Sequence, residues 1–80
     1  MKITVEFIGV IHRGGDWAQV QEFPEVADGT TLAGFLVDIG YQTEHLRHII
    51  VIRNEAITQD LQTEMADGDR LKLSVLLGGG

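Results

Sequence analysis

The stretch from Met65 to Gly80 constrains the fold more than any other part of the chain. Asp67-Gly68-Asp69 is a turn signal, because Gly tolerates φ > 0 and Asp side chains bond nearby backbone. Beyond it Leu71, Leu73, Val75 and Leu77 alternate with Arg70, Lys72, Ser74 and Leu76. A period of two predicts a strand with one face on a core. The sequence then closes on Gly78-Gly79-Gly80. Three glycines bury nothing and lose much entropy on ordering, so they suit a thin, mobile tail rather than the end of a strand. Extended, residues 78–80 reach roughly 10 Å past the last leucine. Such a tail can carry a terminal carboxylate into a narrow site on another protein. The competing reading is a frayed end or a cloning scar. The sequence begins at Met1 and shows no tag, so the functional tail is the expectation taken forward.

Working back from that strand, Lys2–Val10 sets Ile3, Val5 and Phe7 against Lys2, Thr4 and Glu6, which predicts a first strand. His12-Arg13-Gly14-Gly15-Asp16 is a turn or short loop. Trp17–Phe23 follows as the second strand of an antiparallel hairpin, with Ala18 and Val20, together with Trp17 and Phe23, expected toward the core. Pro24, the single proline, ends it. Thr30 or Thr31 is a helix N-cap. Leu32, Phe35, Leu36 and Ile39 recur at one helical face, and Gly40 suits the C′ position. Gly34 costs that helix about 1 kcal/mol relative to Ala, which suggests close approach to a strand. Tyr41–Arg47 reads as polar connection. Ile49-Ile50-Val51-Ile52 is a β-branched run, hence a strand with two apolar faces. Asn54-Glu55 turns the chain into a short edge strand, Ala56-Ile57-Thr58. Residues 60–65 form a loop or single helical turn that drops Leu61 and Met65 onto the core.

The order β-β-α-β-β-β predicts a two-layer α+β domain spanning residues 1–80, its helix on one sheet face. The first and last strands are expected side by side and parallel at the centre, because a crossover helix lies between them. The expected core is Ile3, Val5, Phe7, Leu32, Phe35, Leu36, Ile39, Leu71, Leu73 and Val75. The other sheet face must show two residues of the Ile49–Ile52 run, and Ile8 and Leu76 share its parity. Ile8, Ile50, Ile52 and Leu76 are therefore the expected partner-binding residues, since an exposed apolar patch marks such a site.

Composition removes several function classes. At 80 residues the chain is one domain with a small core. It has no cysteine, which excludes disulfides, thiol catalysis and cysteine metal sites. Its net charge of −6, from 12 acidic and 6 basic residues, disfavours nucleic acid and favours a partner with a basic docking surface. No apolar run approaches a membrane span and no signal peptide is visible, so a cytoplasmic location is expected. His45 and His48 stand three apart without a third ligand, so no metal site is expected. Glu25, Asp28, Asp67 and Asp69 sit in turn contexts, where Asp serves the backbone. Gly14-Gly15 leads into no helix with a Lys, so it is not a phosphate loop.

The element order, the Asp28-Gly29-Thr30-Thr31-Leu32 helix start, the Asn54-Glu55 turn, Asp67-Gly68-Asp69 and the glycine end together resemble the ubiquitin-like β-grasp family. The likeness is greatest to the sulfur carriers of the ThiS and MoaD type, which include the thiamine sulfur carrier and the small subunit of molybdopterin synthase. It departs in ending on three glycines rather than two, in Asn54-Glu55 where Asn-Gly is frequent, and in having no proline before the tail. The resemblance implies a mixed sheet of four to five strands with one main helix. It implies that the Gly80 carboxylate is adenylated by an ATP-dependent, E1-like activating enzyme and converted to a thiocarboxylate. Gly78 and Gly79 would let the backbone thread the enzyme's channel. The implied partners are that enzyme, a sulfurtransferase, and a synthase large subunit or other sulfur acceptor. No cofactor is bound, and ATP belongs to the activating partner. The chain is then a carrier, not an enzyme, feeding molybdopterin- or thiamine-type cofactor biosynthesis. Two alternatives share the fold: a protein modifier joined to lysines through the same terminus, and an interaction module with an inert tail.

Overall fold

A computed structural model describes residues 1–9 and 15–75. Five strands form one mixed sheet: β1 (Ile3–Phe7), β2 (Val20–Phe23), β3 (Ile49–Arg53), β4 (Ala56–Thr58) and β5 (Arg70–Val75). Their spatial order is β2-β1-β5-β3-β4. One helix, α1 (Leu32–Asp38), lies on one face, followed by a 3₁₀ segment, Thr43–His48. This is the ubiquitin-like β-grasp arrangement, an α+β fold. The two strands of best alternation are the central ones. β1 and β5 run parallel, with Val5 opposite Leu71 and Phe7 opposite Leu73. Parallel neighbours require a crossover, and the hairpin, α1 and the β3–β4 pair supply it.

Alternation on the two strands sends Ile3, Val5, Phe7, Leu71 and Leu73 inward, each at most 1 % exposed. Leu32, Phe35, Leu36 and Ile39 of the helix segment meet them, and Val75 packs at the margin. Thr31 is the N-cap, its Oγ1 accepting the Gly34 N–H at 3.1 Å. Two further N–H groups at the helix start, of Leu32 and Ala33, donate to the carbonyls of Thr63 and Leu61. The loop after β4 therefore caps the helix while it delivers Met65 to the core. At the other end the Gly40 N–H reaches the Val37 carbonyl and the Tyr41 N–H reaches that of Leu36, a Schellman ending with Gly40 at φ +119°.

Four expectations need correction. The second strand starts at Val20, not Trp17. Its register puts Gln21 opposite Val5 and Val20 opposite Glu6, so Val20 faces away from the core and is 57 % exposed, while Ala18 is exposed before the strand. Tyr41–Arg47 is more than polar connection, since Tyr41 and Leu46 are both buried. A 3₁₀ segment this short gives no 3.6-residue pattern to read. Gly34 does not mark a strand contact. A Cβ there would stand 3.2 Å from Thr31 Oγ1, so the N-cap hydroxyl is what crowds the position.

Candidate functional site

The face of the sheet opposite α1 carries the expected docking residues. Strand registers align one row across all five strands: Val20, Glu6, Lys72, Ile52 and Ile57. The next row sets Ser74 opposite Ile50. Beside it, Ile8 continues the parallel ladder past β1, its N–H donating to the Leu73 carbonyl at 2.8 Å. Ile8, Ile50 and Ile52 are half-buried, and Ile57 is 69 % exposed. The structure thus brings Ile50 and Ile52 onto one open face, with Ile8 across β5 from them. Leu76, Gly78, Gly79 and Gly80 lie outside the described residues, as do Val10–Gly14. Ile57 and Val20 are additions that residue parity on the short outer strands did not reveal. The signal for Ile57 is its register opposite Ile52, which follows once Asn54-Glu55 is a two-residue turn. Both turn residues have positive φ, +49° and +73°, as a hairpin of that length requires.

Charge is divided over this face. Arg70 and Lys72 project from β5, and Glu6 and Glu22 from the neighbouring strands. Lys2 pairs with Glu22 at 3.2 Å, an exposed contact of small energetic consequence. Near the isoleucines both signs remain, Lys72 opposite Ile52 and Glu6 opposite Lys72. The face therefore offers apolar contact edged by charges of both signs.

The start of β5 is fixed by a buried polar cluster. Asp69, 4 % exposed, accepts hydrogen bonds from Arg53 Nε at 2.8 Å, Asn54 Nδ2 at 2.9 Å and the Ala66 N–H at 2.8 Å. Asn54 Oδ1 in turn accepts the Arg70 N–H at 2.9 Å. Burial pushes the Asp69 carboxyl up, but the Ala66 and Asn54 donors and the Arg53 guanidinium outweigh it. The net position is below the usual carboxylate range. Asp67 takes the Lys2 N–H at 2.7 Å, and Gly68 supplies φ +85° between the two. Both aspartates thus serve the backbone, and they hold β5 in register with β3 and β1. Among the described residues no three His, Asp or Glu side chains converge as a metal site would require. No helix among them is long and apolar enough to cross a membrane.

β5 runs from this cluster along the middle of the sheet to Val75, which is paired with Ile49. β5 is thus the central strand, and Val75 is its last residue.

No protein-family profile matches the chain, and no curated protein matches it. Solved structures do. The solution structure of Urm1 from Trypanosoma brucei superposes with a TM-score of 0.74 at 20 % identity, covering 99 % of this chain and 95 % of that one. A chain of the complex of subunits 1 and 2 of the molybdopterin-converting factor from Helicobacter pylori 26695 gives 0.62 at 23 % identity, with both chains covered in full. At these identities the likeness establishes fold. It agrees with the topology derived above: the chain is a ubiquitin-like β-grasp domain with the fold of these two proteins.

Proposed function

We propose that the chain is a sulfur carrier whose Gly80 carboxylate is the reactive group. The observation that carries this is a sequence that runs on from the central strand, which ends at Val75, into three glycines, on a fold shared with a molybdopterin-converting factor subunit. In the proposed cycle a carboxylate oxygen of Gly80 attacks the α-phosphorus of ATP on an E1-like activating enzyme, and pyrophosphate leaves. The terminal sulfur of a sulfurtransferase persulfide then attacks the acyl carbon, and AMP leaves. Two electrons from a thiol reductant cleave the resulting acyl disulfide and free the thiocarboxylate. This chain supplies an unhindered acyl carbon, because a terminal glycine has no Cβ. Gly78 and Gly79 give the backbone its thin approach. Ile8, Ile50, Ile52 and Leu76 form the docking face for the activating enzyme and, later, for a synthase large subunit or other sulfur acceptor.

The test is intact-mass analysis after incubation with ATP, a cognate activating enzyme and a sulfur source. Replacing one oxygen by sulfur adds about 16 Da, and the gain must localise to a C-terminal fragment ending at Gly80. Deleting Gly79 and Gly80 is expected to abolish it without changing the melting temperature. A lysine adduct on another protein, dependent on the same terminus, would establish the modifier reading instead. If neither product forms with an enzyme proven active on another carrier, the proposal fails.

A further inference from the structure

The helix side of the sheet carries a second recessed surface. At the β2 edge a groove of about 370 Å³ opens between that strand and α1. Phe35 and Ile39 form its floor, both nearly buried, and Trp17 and Phe23 form its wall. The aromatic rings are ordered as a chain of edge-to-face contacts. Trp17 meets Phe23 with centroids 5.0 Å apart, and Phe23 meets Phe35 at 5.3 Å. The indole N–H donates to the Ile39 carbonyl at 2.9 Å, which fixes the ring on the helix end. Glu25 and Asp38, both exposed, also line the groove, and among the described residues no Lys or Arg does.

The geometry points to a docking site for a short partner segment that carries a Lys or Arg beside an aliphatic side chain. An aliphatic group fits the Phe35–Ile39 floor. A cation beside it meets two carboxylates, Glu25 and Asp38, which attract positive charge. An acidic segment would be repelled from the same place. Recognition here is by side chains rather than by strand addition. The Gln21 side chain already occupies the outer edge of β2: its Nε2 donates to the Glu22 carbonyl, and its Oε1 accepts the Ala18 N–H, both at 3.2 Å. The groove lies on the opposite side of the sheet from Ile50 and Ile52, so one partner can hold each side at once. Its described charges are all acidic, whereas the open face mixes Lys72 with Glu6. This site does not rest on the sulfur-carrier reading, since it needs neither the terminus nor its activation.

Trp17 is the chain's one tryptophan, so its emission reports on the groove directly. The full chain is titrated with an acetylated, amidated Leu-Arg-Leu-Lys peptide while emission and backbone amide shifts are followed. The expected result is a saturable emission change, with shift changes concentrated at Trp17, Phe23–Thr30 and Phe35–Ile39. The double substitution Glu25→Gln, Asp38→Asn is expected to weaken affinity about tenfold, each exposed carboxylate contributing a few-fold. Melting temperature of the free variant verifies that the fold is intact. A Leu-Glu-Leu-Glu peptide is expected not to bind. Shifts that map to Ile50, Ile52 and Lys72, or an affinity unchanged in the folded double variant, would overturn the assignment. So would absence of saturable binding. An emission change produced by diluting the protein alone would show that a second copy of the chain fills the groove, which also overturns it.

Discussion

The two faces of the sheet are built from the same strands and obey different rules. On β5, Leu71 and Leu73 are at most 1 % exposed, while Arg70 and Lys72, which alternate with them, are exposed. On β3, Val51 is buried and Ile50 and Ile52 stand on the open side, equally branched and equally apolar. The covered face is therefore apolar at its centre, and the polar groups that share its parity, Arg53 and Gln21, each have a hydrogen-bond partner. The open face mixes isoleucine with lysine and glutamate, which water tolerates. A strand with apolar residues on both sides packs the core with one and leaves the other open.

The sharpest break in this comparison is to delete volume on one face and not on the other. Leu73→Ala is expected to lower unfolding free energy by about 2–5 kcal/mol, because Leu73 is fully enclosed. Lys72→Ala, one residue away, is expected to change it by less than about 0.5 kcal/mol. Urea unfolding of both variants checks the contrast, and equal effects would abolish the distinction between the faces.

Charge on the covered side is the next place to press. Arg53 pairs opposite Leu71, on the covered parity, and its guanidinium is tolerated there because Asp69 meets it. Asp69→Asn is expected to cost about 2–3 kcal/mol at pH 7, since it leaves Arg53 without its counter-charge. The pH dependence follows from the lowered Asp69 carboxyl. The unfolded chain holds the proton more readily, so the stabilisation is complete above the unfolded carboxylate value. It is lost as pH falls through the lower, folded one. Stability curves of the two proteins should therefore converge in acid. A gap that stays constant down through that range would mean the charge of Asp69 contributes nothing.

The smallest effect on stability is expected on the open face itself. Ile57→Asp, at an edge position 69 % exposed, should shift unfolding free energy by less than about 0.5 kcal/mol. Binding to an activating enzyme should weaken by about 1–2 kcal/mol if Ile57 belongs to the docking surface. Calorimetry of folding and of binding separates the two quantities. A variant that unfolds, or that binds as the parent does, would remove Ile57 from that surface.

The central elements were legible because their patterns are long and redundant. β5 and β1 repeat their alternation several times, α1 presents four apolar residues at helical spacing, and the Ile49–Ile52 run is unambiguous in type. The edges were not. β2 holds four residues, and its register is set by β1, which turns Gln21 inward and Val20 outward against their polarity. Gln21 can take that place because its amide bonds to backbone at both ends. Leu46 is buried within a 3₁₀ segment and Tyr41 just before it, where the geometry leaves no periodic trace. Of the open-face residues, Ile50 and Ile52 followed from strand type alone. Ile57 needed the pairing of β3 with β4, and the aromatic groove needed the packing of β2 against the helix end. Neither relation is local in sequence.

The parallel pairing of β1 with β5 also decides how the domain answers mechanical force. The two strands are adjacent, and four registered pairs join them, from Thr4–Arg70 to Phe7–Leu73. Tension applied between the N-terminus and the end of β5 pulls these strands past one another along their length. Their hydrogen bonds then share the strain together and must fail together, instead of opening one at a time from an end. A machine that drags on the C-terminus alone engages the same central strand, with β1 on one side and β3 on the other. Resistance to forced unfolding is governed by the unfolding rate rather than by equilibrium stability. A domain of modest size can therefore yield its terminus to a partner's grip while the sheet behind it holds.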